Sequence, residues 1–390
     1  MEFDPSWLLI GLPLAFVLGW FASRLDQRQQ RADSRRAPKA YFKGLNYLLN
    51  EQQDQAIDAF IEAVQNDPET TELHFALGNL FRRRGEYNRA VRVHEHLLSR
   101  DDLSRTDRER AQHGLALDYL KAGLLDRAED ALRRLEDTPF ETQARLALLM
   151  IYERSHDWDQ ASAIAQRMQD AHQGDFSQRQ AHYLCEQAQL RRAQGDVVAA
   201  QALLTQAVAT APSGPRARLE LARLQLQQGV PGDALDTLRE LAQATPTALP
   251  LAAELMVEAA TACGERESAR ALMEAHYRGQ PSLDVLDAIV ALRQADTNTD
   301  TAQSAAGIQD WYADYLNREP SLVVAAKWLT HETLSHEEHH PAIQRALDQA
   351  AKPLTRYRCA ACGFEALQHF WQCPGCQSWD SYPPRRVEEL

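Results

Sequence analysis

Apolar side chains recur at three- and four-residue spacing through most of this chain, in short runs broken by glycine or polar turns, which predicts paired amphipathic helices. The pattern changes at both ends. Near the start, Trp7 to Ala22 is apolar without a charge. After Pro281 the pairing loosens. Ser282–Leu292 still reads as a helix, Asp296–Ser304 as an exposed polar loop, and Trp311, Tyr312, Tyr315 and Leu316 followed by Leu322, Val323, Trp328 and Leu329 as a further helical pair. A short helix over Ile343–Ala351 leads to Lys352-Pro353. The aromatic residues of this stretch are expected to cap the helical array or to dock whatever follows it.

The helical pairs repeat. Aligned on the small residue that opens each second helix, Ala56, Ala90, Ala128, Ala161, Ala200, Ala234 and Ala269 fall 34, 38, 33, 39, 34 and 35 residues apart. A period near 34 marks tetratricopeptide repeats. The finer pattern agrees: Gly44, Tyr47, Ala56, Phe60, Ala63 and Pro68 in the first unit; Leu77, Gly78, Phe81, Gly85, Tyr87, Ala90 and Leu97 in the second; Gly123, Gly195, Gly229 and Gly264 at later turns. Small residues let paired helices approach, and large ones fill the hole offered by the next unit. No unit buries its apolar face alone, so the array must stack into a solenoid. Such a surface binds other polypeptides, and Arg82, Arg83, Arg84, His113, Asp118, Arg145, Arg191 and Arg192 are candidates to line it.

The Trp7–Ala22 stretch, as a helix, covers about 24 Å at ~1.5 Å per residue, somewhat short of a bilayer core of ~30 Å, a gap that snorkelling or local thinning closes. Trp7 and Trp20 stand near its ends, where interfacial aromatics belong. A cleaved signal peptide would want a positive start, whereas Glu2 and Asp4 precede the stretch. Arg24, Arg28, Arg31, Arg35, Arg36, Lys39 and Lys43 follow, against Asp26 and Asp33, so the rest of the chain is expected in the cytosol behind an uncleaved anchor. A net charge of −13 argues against nucleic acid as a partner.

Four of the six cysteines lie near the end as Cys359-Ala-Ala-Cys362-Gly363 and, nine residues on, Cys373-Pro374-Gly375-Cys376. Two knuckles so close suit a tetrahedral four-thiolate site; Gly363 and Gly375 are expected to supply the backbone freedom they need, and Pro374 to stiffen the second. A module this small buries little core, so a metal must supply much of its stability. Two disulfides are the alternative, disfavoured by the knuckle format and the intracellular look of the chain. Zinc as a staple and iron as an electron carrier both stay open. Cys185 and Cys263 sit alone in helical patterns and read as small buried side chains.

His336-Glu337-Glu338-His339-His340 matches the metalloprotease pattern, but Pro341 follows at once and the segment is polar on all sides, so it reads as a surface helix boundary or an adventitious metal site. No phosphate loop, dinucleotide fingerprint or nucleophile elbow occurs, and an enzyme is not expected.

The anchor, the repeat array and the stretch Tyr357-Arg-Cys-Ala-Ala-Cys-Gly-Phe364, Trp371-Gln-Cys-Pro-Gly-Cys376 and Trp379-Asp380 together resemble the lipopolysaccharide assembly protein B family over essentially the whole chain. The resemblance implies a mainly α fold: a transmembrane anchor (1–22), a basic linker (23–37), a tetratricopeptide-repeat solenoid (38–281), a helical continuation and cap (282–353), a rubredoxin- or zinc-ribbon-like domain (354–384) and a tail (385–390). Its metal ligands fall on Cys359, Cys362, Cys373 and Cys376. Rubredoxins space their knuckles farther apart, which leaves a zinc-ribbon staple at least as good a reading as electron transfer. The family implies an adaptor on the cytoplasmic side of a bacterial inner membrane. It would help the membrane protease FtsH degrade the lipid A deacetylase LpxC, under restraint by the inner-membrane regulator PbgA/YejM, with links to the lipopolysaccharide assembly machinery. A scaffold without a proteolytic role and a redox protein are the alternatives, and a homo-oligomer is compatible with such a solenoid.

Overall fold

The computed structural model describes residues 42–47, 49–50, 52–66, 70–296, 301–330 and 340–390. The apolar stretch 7–22, the basic residues 24–39, Pro68 and residues 336–339 of the histidine cluster lie outside the described residues. Among the described residues no helix is long and apolar enough to cross a membrane. The chain divides into two compact units, 1–164 and 165–390, so the division falls inside the repeat array.

In the first unit, helices α1 (residues 42–47), α2 (Gln53–Asn66), α3 (Thr71–Arg83), α4 (Tyr87–Leu98), α5 (Arg105–Lys121), α6 (Leu125–Arg133) and α7 (Glu141–Ser155) follow one another. Helix α8 (Trp158–Asp170) runs over the division. The second unit continues with α9 (Ser177–Ala193), α10 (Val197–Thr210), α11 (Pro215–Gln227), α12 (Pro231–Ala244), α13 (Leu249–Cys263), α14 (Arg266–Gly279), α15 (Leu283–Asp296), α16 (Thr301–Arg318), α17 (Leu322–Thr330) and α18 (His340–Ala351). Within each unit successive helices pack together, and first helices of neighbouring pairs also touch, as α3 does α5 and α11 does α13. This is a mainly helical tetratricopeptide solenoid.

The alignment residues land where close approach is needed. Ala56, Ala90, Ala128, Ala161, Ala200, Ala234 and Ala269 all lie on second helices and are at most 1 % exposed. The turns are equally regular. Gly85, Gly123, Gly195, Gly229 and Gly264 adopt φ between 76° and 82° after the first helix of a pair, and His156 takes the same place at φ 60°. In every case the next amide bonds back to the carbonyl five residues earlier, as in Glu86 N to Phe81 O at 2.9 Å and Asp157 N to Tyr152 O at 2.9 Å, the Schellman closure that left-handed residues permit.

The helical pairing does not stop at Pro281. Tyr277, Tyr312 and Tyr315 are buried together with Leu286, Ile289 and Val324 in the largest core of the second unit. The polar break is shorter than its composition suggests, since α16 already begins at Thr301. His340 opens α18, its Nε2 3.1 Å from the Leu329 carbonyl.

One expected groove residue is not at a surface. Asp118 is fully buried, with its carboxylate 2.5 Å from His94 Nδ1 and 2.7 Å from Arg82 Nη1. A buried carboxylate needs such partners, and Arg82 is thereby turned inward too. His113 is half-buried and stacks on Phe140, and Arg145 pairs with Glu141. Arg83, Arg84, Arg191 and Arg192 stay exposed.

Candidate metal centre

After α18 the chain forms a small ribbon. Strands β1 (Tyr357–Arg358) and β2 (Glu365–Ala366) pair antiparallel, with Arg358 opposite Glu365. Fourteen residues on, Gln372 bridges Trp379 in the same sense. Each bridge brackets one knuckle, and the two knuckles match bond for bond. Gly363 N reaches Cys359 O at 2.9 Å, and Gln377 N reaches Cys373 O at 2.8 Å; Cys359 N bonds Phe364 O and Cys373 N bonds Ser378 O, both at 2.9 Å.

This symmetry corrects one expectation. The left-handed residue of the first knuckle is Gly363, at φ 78°, but that of the second is Gln377, at φ 61°, the residue after the second cysteine in both cases. Gly375 does not serve as the left-handed residue. It lies against the other knuckle, where an added Cβ would stand 3.5 Å from Phe364 and 3.6 Å from Cys362 Sγ.

The four sulfurs of Cys359, Cys362, Cys373 and Cys376 all lie within 4.8 Å of one another. Cys359 and Cys376 are 3.8 Å apart, Cys362 and Cys373 3.7 Å. A tetrahedral ion with bonds of ~2.3 Å to sulfur requires edges of about 3.8 Å, so the cluster has the size of a four-thiolate site. The first cysteine of each knuckle is buried and the second exposed. Electrostatics points the same way. Burial works against ionising Cys359, but the Ser381 hydroxyl at 3.3 Å and the N–H groups of Cys362 and Ala361 outweigh it and bring the thiol down to about 6. The Phe364 N–H pulls Cys362 down, yet desolvation and then the sulfurs of Cys376, Cys359 and Cys373 around it push it up to about 12. Ser378 holds Cys376 low through its hydroxyl and its N–H. Four thiols this close cannot all ionise without a cation among them, and a bound metal ion would supply that charge.

The ribbon is held against the helices of its own unit. The Trp379 ring stacks on His182 of α9 at 4.6 Å between centroids, and His182 Nε2 lies 2.9 Å from the Asp380 carboxylate. Beneath them Arg216, 4 % exposed, pairs with Glu186 and Glu220, both at 2.7 Å, with its guanidinium 5.9 Å from the Trp379 ring. Trp371 packs on the main helical core and Tyr357 on Leu251 of α13.

The last residues stitch the other side. Pro281-Ser282-Leu283 and Pro320-Ser321-Leu322 open α15 and α17 alike, each serine capping its helix from a buried position. Glu389 accepts from Leu283 N at 2.8 Å; Glu388 accepts from Leu322 N at 2.5 Å, Val323 N at 3.2 Å and Ser321 Oγ at 2.7 Å. Arg386 bonds Asp284 at 2.8 Å and lies 4.1 Å over the Tyr357 ring. These residues are the expected tail (385–390). A terminal carboxylate pair and two Pro-Ser-Leu helix starts are the only signals that point to their role. Cys185 is fully buried, and burial raises its thiol well above the ordinary range, so it is a packing residue. Cys263 is half-buried on α13.

Between the first helices α11, α13 and α15 on one side and the ribbon on the other runs a groove of about 910 Å³.

The rubredoxin metal-binding domain family matches residues 357–383, and tetratricopeptide-repeat families match 73–108 and 191–258. Lipopolysaccharide assembly protein B of Escherichia coli (strain K12) is 28 % identical over 97 % of this chain and 98 % of its own. The protein of that name from Haemophilus influenzae is 26 % identical over 98 % of each chain. Among solved structures, Naa15/Naa10 bound to HypK-THB superposes with a TM-score of 0.42 at 14 % identity, over 82 % of this chain and 48 % of that one, too distant to add to the repeat geometry. Similarity thus runs along the full length of this chain and of both relatives, with the metal-binding ribbon in place at the end of the repeats, so the chain is similar throughout to lipopolysaccharide assembly protein B.

Proposed function

We propose that this protein regulates lipopolysaccharide assembly as a membrane-anchored adaptor. In this reading the solenoid holds the lipid A deacetylase LpxC for degradation by FtsH, and the PbgA/YejM protein restrains it. The observation that carries the reading is the full-length similarity to two proteins named for lipopolysaccharide assembly. A repeat array suited to polypeptide binding supports it. So does the anchor read from residues 7–22, which would raise the local concentration of membrane partners on the cytoplasmic side of the inner membrane.

The ribbon's metal, held by Cys359, Cys362, Cys373 and Cys376, acts in this reading as a staple. Both knuckles, the Trp379–His182 stack and the tail bonds depend on the ribbon keeping its shape. A colourless protein containing zinc fits this role, while visible absorbance bleached by dithionite would indicate iron and a redox role.

The test is the half-life of the deacetylase in cells with and without this chain, after translation is blocked. Persistence of the deacetylase when the chain is absent, and rapid loss when it is restored, is the expected result. An unchanged half-life removes the proteolytic role.

A further inference from the structure

The groove between α11, α13, α15 and the ribbon has no part in holding the metal, and its chemistry is one-sided. Five carboxylates line it, against Arg223 and Arg386. Three of the five are already committed: Asp284 to Arg386, Asp287 to Lys327, and Glu220 to Arg216. Glu254 and Glu258 are exposed and make no ion pair among the described residues. They stand four apart on α13, where like charges repel and destabilise the helix, a cost that a bound cationic group removes.

The walls around this pair are apolar. Leu251 and Val257 flank it on α13, and Leu367 of the ribbon faces the same space while 66 % exposed. An exposed leucine on a small stapled module, opposite unpaired carboxylates, suits an occupant that is both apolar and basic. The volume sits near the top of the ~300–1,000 Å³ range of small-ligand pockets. The groove is walled by the first helices of three successive repeats, so it accepts a length of chain more readily than a compact molecule.

We propose that this groove binds an extended polypeptide segment in which lysine or arginine alternates with aliphatic residues, the basic groups meeting Glu254 and Glu258 and the aliphatic ones packing on Leu251, Val257 and Leu367. The proposal rests on reading the solenoid as a polypeptide binder, and it does not require that the partner be a deacetylase. The ribbon supplies one wall, so the metal module here shapes a binding site as well as closing the helical array.

The full-length protein in nonionic detergent is titrated into the fluorescein-labelled peptide GRLKALRKG and, separately, into its acidic counterpart GELEALEEG, with anisotropy as the readout. The basic peptide is expected to bind, more weakly as salt rises, and the acidic one not to bind. The E254K/E258K variant should lose at least about tenfold in affinity for the basic peptide, the ~1.4 kcal/mol that one decade represents. Leu367→Ser should also weaken it, through the ribbon wall alone, and Asp101→Lys, an equally exposed charge change in the other unit, should leave it unchanged. Equal binding of both peptides, no binding of either, or an undiminished affinity in E254K/E258K with wild-type circular dichroism overturns the proposal. Such a failure alongside normal deacetylase turnover would leave the regulatory function standing and remove only this site.

Discussion

Glu388→Ala isolates the tail from the rest of the ribbon. The carboxylate stands over the start of α17, where the first amides of a helix have no partner of their own and the dipole favours negative charge. It accepts from Leu322 N at 2.5 Å and Val323 N at 3.2 Å, and takes the Ser321 hydroxyl at 2.7 Å while that same oxygen accepts from Val324 N at 3.0 Å. Charge-assisted bonds are worth ~1.5–3 kcal/mol each when buried, but Glu388 is only half-buried and water replaces part of what is lost. Capping substitutions cost ~0.5–2 kcal/mol, and the second amide and the serine bring the expected loss to the top of that range, about 2 kcal/mol. For a unit of this size that lowers Tm by ~4–8 °C. Glu388→Gln keeps the shape and one carbonyl acceptor and should lose about half as much. Differential scanning fluorimetry gives the shift, and hydrogen exchange at the amides of 322–324 locates it. A Tm within about 1 °C of wild type, or unchanged protection of those amides, would show that the carboxylate does not hold the ribbon to α17.

The His94 site makes a second prediction. A Cβ at Gly78 would stand 2.6 Å from the His94 ring, which Asp118 prevents from moving aside. Gly78→Ala should therefore cost ~1–3 kcal/mol by overpacking, whereas in a His94→Ala background it should be neutral or gain up to ~1 kcal/mol from helix propensity; additive urea midpoints would refute the packing argument. The acid side of stability should belong to histidine. Burial lowers His369, His276 and His113 below their ordinary 6.5, so the unfolded chain binds protons more tightly, and stability present above 6.5 is lost as pH falls through it. Asp287 and Glu389, which burial raises, act in the opposite sense but in the carboxylate range. Thermal melts between about pH 8 and pH 5.5 should show Tm falling from near 6.5 downward; a Tm that rises over that interval contradicts the assignment.

Much of this architecture is local and so was readable in one dimension. A 34-residue period, an alanine at each close helix crossing and a glycine at most of the left-handed turns are requirements of short segments, and the structure meets them at Ala56 to Ala269 and Gly85 to Gly264, with His156 in the glycine's place at one turn. The four cysteines were legible for the same reason, since a knuckle is a six-residue object and thiolate spacing carries its own geometry. What eluded the pattern was settled by distant parts of the chain. Asp118 looked like a surface charge until His94 and Arg82 met it in the interior. Gln377 took the left-handed position because the knuckles are related by symmetry, not by glycine content. Glu388 and Glu389 became caps only when folding carried them back to helices that begin at residues 322 and 283. The groove exists because the ribbon packs across three repeats. Periodicity, turn chemistry and metal-ligand spacing act over a few residues and are written in the sequence, whereas the pairing of a buried charge, the docking of the ribbon and the shape of a groove depend on which remote groups the completed packing brings within hydrogen-bond or van der Waals range.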